Sequence, residues 1–145
     1  MTNVPECFYR VSAKALVLNE ERDKFLIMQE DNGWWDLPGG GLDWGTLPQD
    51  DVKREIDEEM SLKVLSVSGK PSYFYTNSKP SNRDPERLIW YAYVLYEVEL
   101  ENLDFSPSDE CVAIKFVDKA SLPEENVHLQ VSNLADIFDP NNHAK

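Results

Sequence analysis

The chain has little cysteine, little histidine and no long apolar run. Cys7 and Cys111 are the only cysteines in 145 residues. Two are too few for a disulfide framework, and they lack metal-ligand spacing. The start carries neither a basic region nor an apolar one, so no secretory signal is expected. Both thiols are therefore expected to be reduced, in a cytoplasmic protein. His128 and His143 form no pair at helical spacing, which argues against zinc. No apolar stretch approaches the roughly 18 residues of a membrane helix, so no membrane partner is expected. Positive charge is scarce too: 14 Lys+Arg stand against 27 Asp+Glu, a net charge of −13. Such a chain repels a polymeric phosphate backbone, which excludes a nucleic-acid polymer as partner. A small phosphate compound remains compatible if a divalent cation lies between it and the carboxylates.

What is present alternates between strand and helix patterns. Arg10 to Asn19 places Val11, Ala13, Ala15 and Val17 in alternation with polar residues, a strand pattern. Lys24 to Glu30 predicts a second strand, and the polar stretch between the two predicts a hairpin. Four of the six glycines then fall between Gly39 and Gly45, marking a loop with backbone demands. From Thr46 the pattern becomes helical. Thr46 as N-cap and Gln49 at the third helical position match a capping box. Val52, Ile56 and Met60 form a buried stripe, and the helix is predicted to end near Met60 or Ser61. One or two strands are expected between Val64 and Thr76, a loop over residues 77–87, and a long strand from Leu88 to Leu100. A polar loop follows from Asn102 to Glu110, then a strand from Val112 to Val117 and a short amphipathic helix from Leu129 to Phe138. No regular strand–helix–strand rhythm appears, so the class is α+β with a mixed or mainly antiparallel sheet, in a single domain over residues 1–145.

The first helix carries the chemistry. Glu55, Glu58 and Glu59 are spaced i, i+3, i+4 and project from one face. Like charges at that spacing destabilise a helix by a few tenths of a kcal/mol per pair. A divalent cation turns that repulsion into attraction, and oxygen-only ligands select Mg²⁺, with Mn²⁺ as a substitute. The preceding glycines let the backbone approach a ligand closely.

The order Gly40, then Arg54-Glu55-Ile56-Asp57-Glu58-Glu59-Met60-Ser61-Leu62, resembles the Nudix box over residues 40–62. The approach Trp35-Asp36-Leu37-Pro38-Gly39-Gly40-Gly41 and the Ser108-Asp109-Glu110 segment extend the resemblance over roughly residues 9–120. Two box positions depart. The first family glutamate falls on Thr46, and the family glycine falls on Ser61. Thr46 cannot form an ion pair with Arg54, which is left to Asp50 or Glu58 along the helix. Ser61 weakens a left-handed helix end by about 1 kcal/mol if φ is positive there.

The resemblance implies a Nudix fold, with a mixed sheet packed between helices in an α/β/α sandwich. It implies a Mg²⁺-dependent hydrolase that cleaves the pyrophosphate of a nucleoside diphosphate linked to another moiety. By position, Glu58 and Glu59 are metal ligands, and Glu55 is a ligand or the residue that holds the attacking water. The Gly40 carbonyl is a further ligand, and Arg54 orients the carboxylates. Glu110 matches a late-loop carboxylate that binds metal or acts as base. For substrate, the candidates are Trp44, Gly39 and Gly41 in the glycine loop, with Arg87, Arg83 and Lys79 in or beside the 77–87 loop. Arg10 and Lys14 share a strand face and are further candidates. Tyr73, Phe74, Tyr75, Trp90, Tyr91 and Tyr93 are stacking candidates, of which alternation lets about half face one pocket. The Phe8-Tyr9 end or the aromatic strand offers an edge for a homodimer. The competing reading, motivated by Thr46 and Ser61, is a Nudix-fold nucleotide-binding or sensor module with weak or no turnover.

Overall fold

In the computed structural model, which describes residues 7–145, eight strands and two α-helices alternate. The strands are β1 (Arg10–Leu16), β2 (Phe25–Gln29), β3 (Trp35–Asp36) and β4 (Gly39–Gly41), followed by helix α1 (Pro48–Met60). Strands β5 (Val64–Val67), β6 (Tyr73–Pro80), β7 (Leu88–Leu100) and β8 (Ala113–Val117) come next, then helix α2 (Leu129–Ile137). The larger sheet runs β4-β1-β7-β5, with β6 also paired to β7; the smaller runs β3-β2-β8. Only β1 and β7 pair in parallel, so the large sheet is mixed.

Alternation along the central strands divides the core in two. Ala13 and Ala15 of β1, with Leu26 and Met28 of β2, face Val52, Ile56 and Met60 of α1. Leu16 of β1, with Phe25 and Ile27 of β2, faces the other way, onto Val131, Leu134 and Ala135 of α2. The strands therefore lie between the helices, as the sandwich expectation required. Truncating a fully buried stripe residue such as Ile56 to alanine costs roughly 2–5 kcal/mol in such a core.

Three expectations need correction. β1 and β2 do not form a hairpin. Their junction closes through Leu26 N–H to the Val17 carbonyl (2.9 Å) and Asn19 N–H to the Lys24 carbonyl (3.1 Å), after which the strands part into different sheets. Each strand buries residues on both faces, toward α1 on one side and α2 on the other. Residues 77–80 are not loop but the end of β6, in register with β7 from Asn77↔Tyr91 to Pro80↔Leu88. Among the described residues β6 pairs only with β7, and an edge strand needs no apolar run. Thr46 is not the N-cap. Leu47 holds that position without a side-chain cap, and Pro48 opens the helix.

Candidate metal centre and substrate cleft

The Nudix-like helix packs against a glycine strand in which Gly39 and Gly40 leave room that a side chain would fill. β4 lies antiparallel against β1, and Gly39 sits at φ +126°. A Cβ at Gly39 would fall 2.3 Å from the Ala13 carbonyl oxygen, and one at Gly40 would fall 2.8 Å from the Glu55 carboxylate. Gly40 thus makes room for an acid. Glu59, only 4% exposed, accepts the Gly39 N–H at 2.9 Å. The backbone of the glycine strand and the carboxylates of α1 form one wall.

The loop before β8 supplies the opposite wall. Ser108 Oγ donates to the Glu59 carbonyl at 2.7 Å, and Ser106 N–H to the Met60 carbonyl at 3.0 Å. Ser108 and Cys111 close a turn on each other, while the Asp109 carbonyl accepts from Asp31 N–H at 2.9 Å. The turn carries Glu110 to the helix: single carboxylate oxygens of Glu55, Glu59 and Glu110 all lie within 4.8 Å of one another. These three acids line a cleft of about 490 Å³ with Glu30, Asp36 and Gly40.

Electrostatics mark this as a place short of a cation. Burial pushes the Glu59 carboxyl up to about 8, with Glu55 and Glu110 adding to the rise against the Gly39 N–H and Lys14. Burial also raises Glu55, and Glu58 and Glu110 push the same way against Arg54. Hard oxygen donors of this kind suit Mg²⁺ or Mn²⁺, so the residues fit the cofactor that the box implies.

Glu58 is not in the group. It is exposed and receives Arg54 Nη1 at 3.3 Å. Arg54 also reaches Asp43, Asp51 and Glu55 at 3.2–3.4 Å. Asp50, an expected partner, is not among its contacts. Glu58, the other expected partner, is; a further one is Asp51, 2% exposed, which helical spacing alone does not single out. Besides Arg54 it accepts Thr46 Oγ1 at 2.7 Å and Asp43 N–H at 3.2 Å. Burial alone would raise its carboxyl, but these donors hold it below the usual carboxylate range. Asp51 ties the glycine loop to Arg54, the tie that Thr46 cannot make as an ion pair. The i, i+3 spacing to Arg54 was its only signal in the sequence.

A second polar group lies beside the first. Glu30, Asp36 and His128 bring ligand atoms within 4.8 Å. His128 Nε2 meets Glu30 at 2.9 Å, while Asp36 accepts from Lys14 Nζ (3.4 Å) and Gln130 Nε2 (2.9 Å). Lys14 is buried and also donates to the Leu37 and Gly39 carbonyls, each at 3.2 Å. Of the proposed substrate residues, Trp44 is fully exposed on the loop that precedes α1. Arg87 lies in a different groove, with Arg83, Lys79 and Arg10. Tyr73 and Tyr75 pack in the α2-side core, whereas Phe74 is exposed.

The family model of the NUDIX domain matches residues 8–136. The chain belongs to the NUDIX domain family. Among curated relatives, a MutT-like protein of Streptomyces ambofaciens is 38% identical over 56 residues, 39% of this chain and 36% of that protein. A Bacillus subtilis (strain 168) protein, provisionally named an 8-oxo-dGTP diphosphatase, is 32% identical over 82 residues, 57% of this chain and 52% of that protein. The matches thus span about a third to a half of these relatives. A MutT NUDIX hydrolase from Burkholderia pseudomallei shares the fold, with a TM-score of 0.66 at 19% identity over 88% of this chain and 95% of that one. The NUDIX fold expected from the box is the fold observed.

Proposed function

We propose that this NUDIX protein is a divalent-metal-dependent pyrophosphohydrolase acting on a small nucleotide derivative. The observation that carries the reading is the meeting of Glu55, Glu59 and Glu110, from a helix and a distant loop, within 4.8 Å. A bound Mg²⁺ would supply charge neutralisation between phosphate oxygens and carboxylates and would polarise the phosphorus. Glu55, Glu59 and Glu110 would hold it, with the Gly40 backbone beside them. Glu59, held by Gly39 N–H and raised by burial, would give up its proton to serve as ligand, so metal binding would release a proton. Glu55 or Glu110, both of which line the cleft, would take the proton of the attacking water when it is not itself a ligand. Arg54, bridging Asp43, Asp51, Glu55 and Glu58, holds the helix face and the glycine loop in register. Glu58 acts through Arg54 in this arrangement. The relatives named MutT-like and 8-oxo-dGTP diphosphatase support a nucleotide substrate class.

The test is incubation with Mg²⁺ and a panel of nucleoside triphosphates (oxidised ones included), sugar nucleotides, dinucleotides and ADP-ribose, with products resolved by chromatography. Turnover that requires Mg²⁺ and collapses at least about 100-fold in Glu59→Gln is the expected result. A folded, Mg²⁺-binding protein that leaves the whole panel intact would instead support the binding-module reading motivated by Thr46 and Ser61.

A further inference from the structure

The end of the β6–β7 hairpin that projects past β1 forms a groove of about 900 Å³. Its charge is opposite to that of the molecule. Arg10, Lys79, Arg83 and Arg87 line it, and no Asp or Glu does among the described residues. Four of the 14 Lys+Arg of a chain with net charge −13 are therefore gathered at one place. None of the four has an ion-pair partner among the described residues. Trp90 and Tyr91 line the groove beside them, and Lys79 Nζ stands 5.2 Å from the centre of the Tyr91 ring. Arginines without ion-pair partners beside aromatic faces suit a phosphate carried next to a flat ring.

One side-chain contact links the groove to the acidic cleft. His128 lines the groove and bonds Glu30, and Glu30 lines the cleft with Glu55, Glu59 and Glu110. None of the three metal-facing acids borders the groove itself. A nucleotide seated at those acids has the groove as its neighbour on the His128 side.

We infer that the groove binds a second phosphate group, carried on the nucleoside of the substrate away from the pyrophosphate that is cleaved. The inference rests on the pyrophosphohydrolase reading for the orientation of the substrate, but the groove can be probed without catalysis. A long nucleic-acid strand is the poorer fit, because it would continue from the groove over an acidic surface.

The probes are the 3′,5′-bisphosphates of adenosine and guanosine, each titrated against its 5′-monophosphate by calorimetry in EDTA, so that no metal bridges the phosphates. At least one bisphosphate is expected to bind about tenfold or more tightly than its monophosphate. That ratio falls toward one in Arg83→Gln/Arg87→Gln and is kept in Lys119→Gln, which removes a cation outside the groove. Equal affinity for both members of each pair, or a ratio unchanged in the double arginine variant, overturns the inference. Tighter binding of a 5′-phosphorylated RNA hexamer than of either bisphosphate also overturns it, in favour of a polymer. Turnover of the panel is measured separately. A preserved ratio without turnover would leave the groove standing and remove the hydrolase, and turnover without the ratio would do the reverse.

Discussion

Glu59 makes a prediction about stability that runs against its role in metal binding. In the metal-free fold its carboxyl is pushed from 4.5 up to about 8 by burial. A folded-state value above the unfolded one means the stabilisation is fully present below pH 4.5. It is lost as pH rises through about 8. A rise from 4.5 to about 8, at about 1.4 kcal/mol per unit, sets an upper bound of roughly 5 kcal/mol on that loss. Glu59→Gln stays neutral at every pH, and its amide oxygen can still accept the Gly39 N–H. Urea unfolding in EDTA should therefore find parent and variant within about 1 kcal/mol at pH 4.5, where the glutamate is neutral too. At pH 8.5 the variant should be the more stable by roughly 3–5 kcal/mol. The difference between the two proteins isolates Glu59 from the repulsion that a net charge of −13 adds in both. A parent–variant difference that does not change between pH 4.5 and 8.5 would refute the reasoning.

Three further outcomes follow from named contacts. Ser61 ends α1 at φ 55°, ψ 38°, so Ser61→Gly should stabilise the protein by about 1 kcal/mol, read as a rise in Tm of a few degrees. A Cβ at Gly40 would press on the Glu55 carboxylate from 2.8 Å; Gly40→Ala should therefore weaken Mn²⁺ binding tenfold or more, measured by calorimetry, with little change in circular dichroism. Asp51→Ala removes the shared acceptor of Thr46, Asp43 and Arg54 and should cost roughly 2–3 kcal/mol in urea unfolding.

Much of the scaffold could be read from periodicity, because the pattern reports which faces are buried. The long strand Leu88–Leu100 and the end of α1 at Met60 lie where alternation and the four-residue stripe put them. Alternation cannot report which strand is the neighbour. Val17 and Leu26 meet at a turn, yet their strands enter different sheets, a choice made by the two helices that cover the core. Nor does a polar segment announce that it is an edge strand, as Asn77–Pro80 is. At the site, helical spacing brought Glu55, Glu58 and Glu59 to one side. It could not tell which would turn inward, since that depends on where β4 and the loop before β8 lie. Glu59 faces the Gly39 N–H, and Glu58 faces Arg54. The His128–Glu30 pair, 98 residues apart, and the collection of Arg10 with Arg83 and Arg87 exist only in the folded chain.

The most direct test of the metal centre compares two glutamates by Mn²⁺ titration, followed by electron paramagnetic resonance at pH 8. Glu110, on a loop, belongs to the three-carboxylate group, whereas Glu58, on the box helix itself, points to Arg54. Glu110→Gln should weaken binding at least about tenfold, and Glu58→Gln should weaken it by less than about threefold. Unchanged affinity in Glu110→Gln together with a large loss in Glu58→Gln would contradict the assignment and place the ion on the exposed side of the helix.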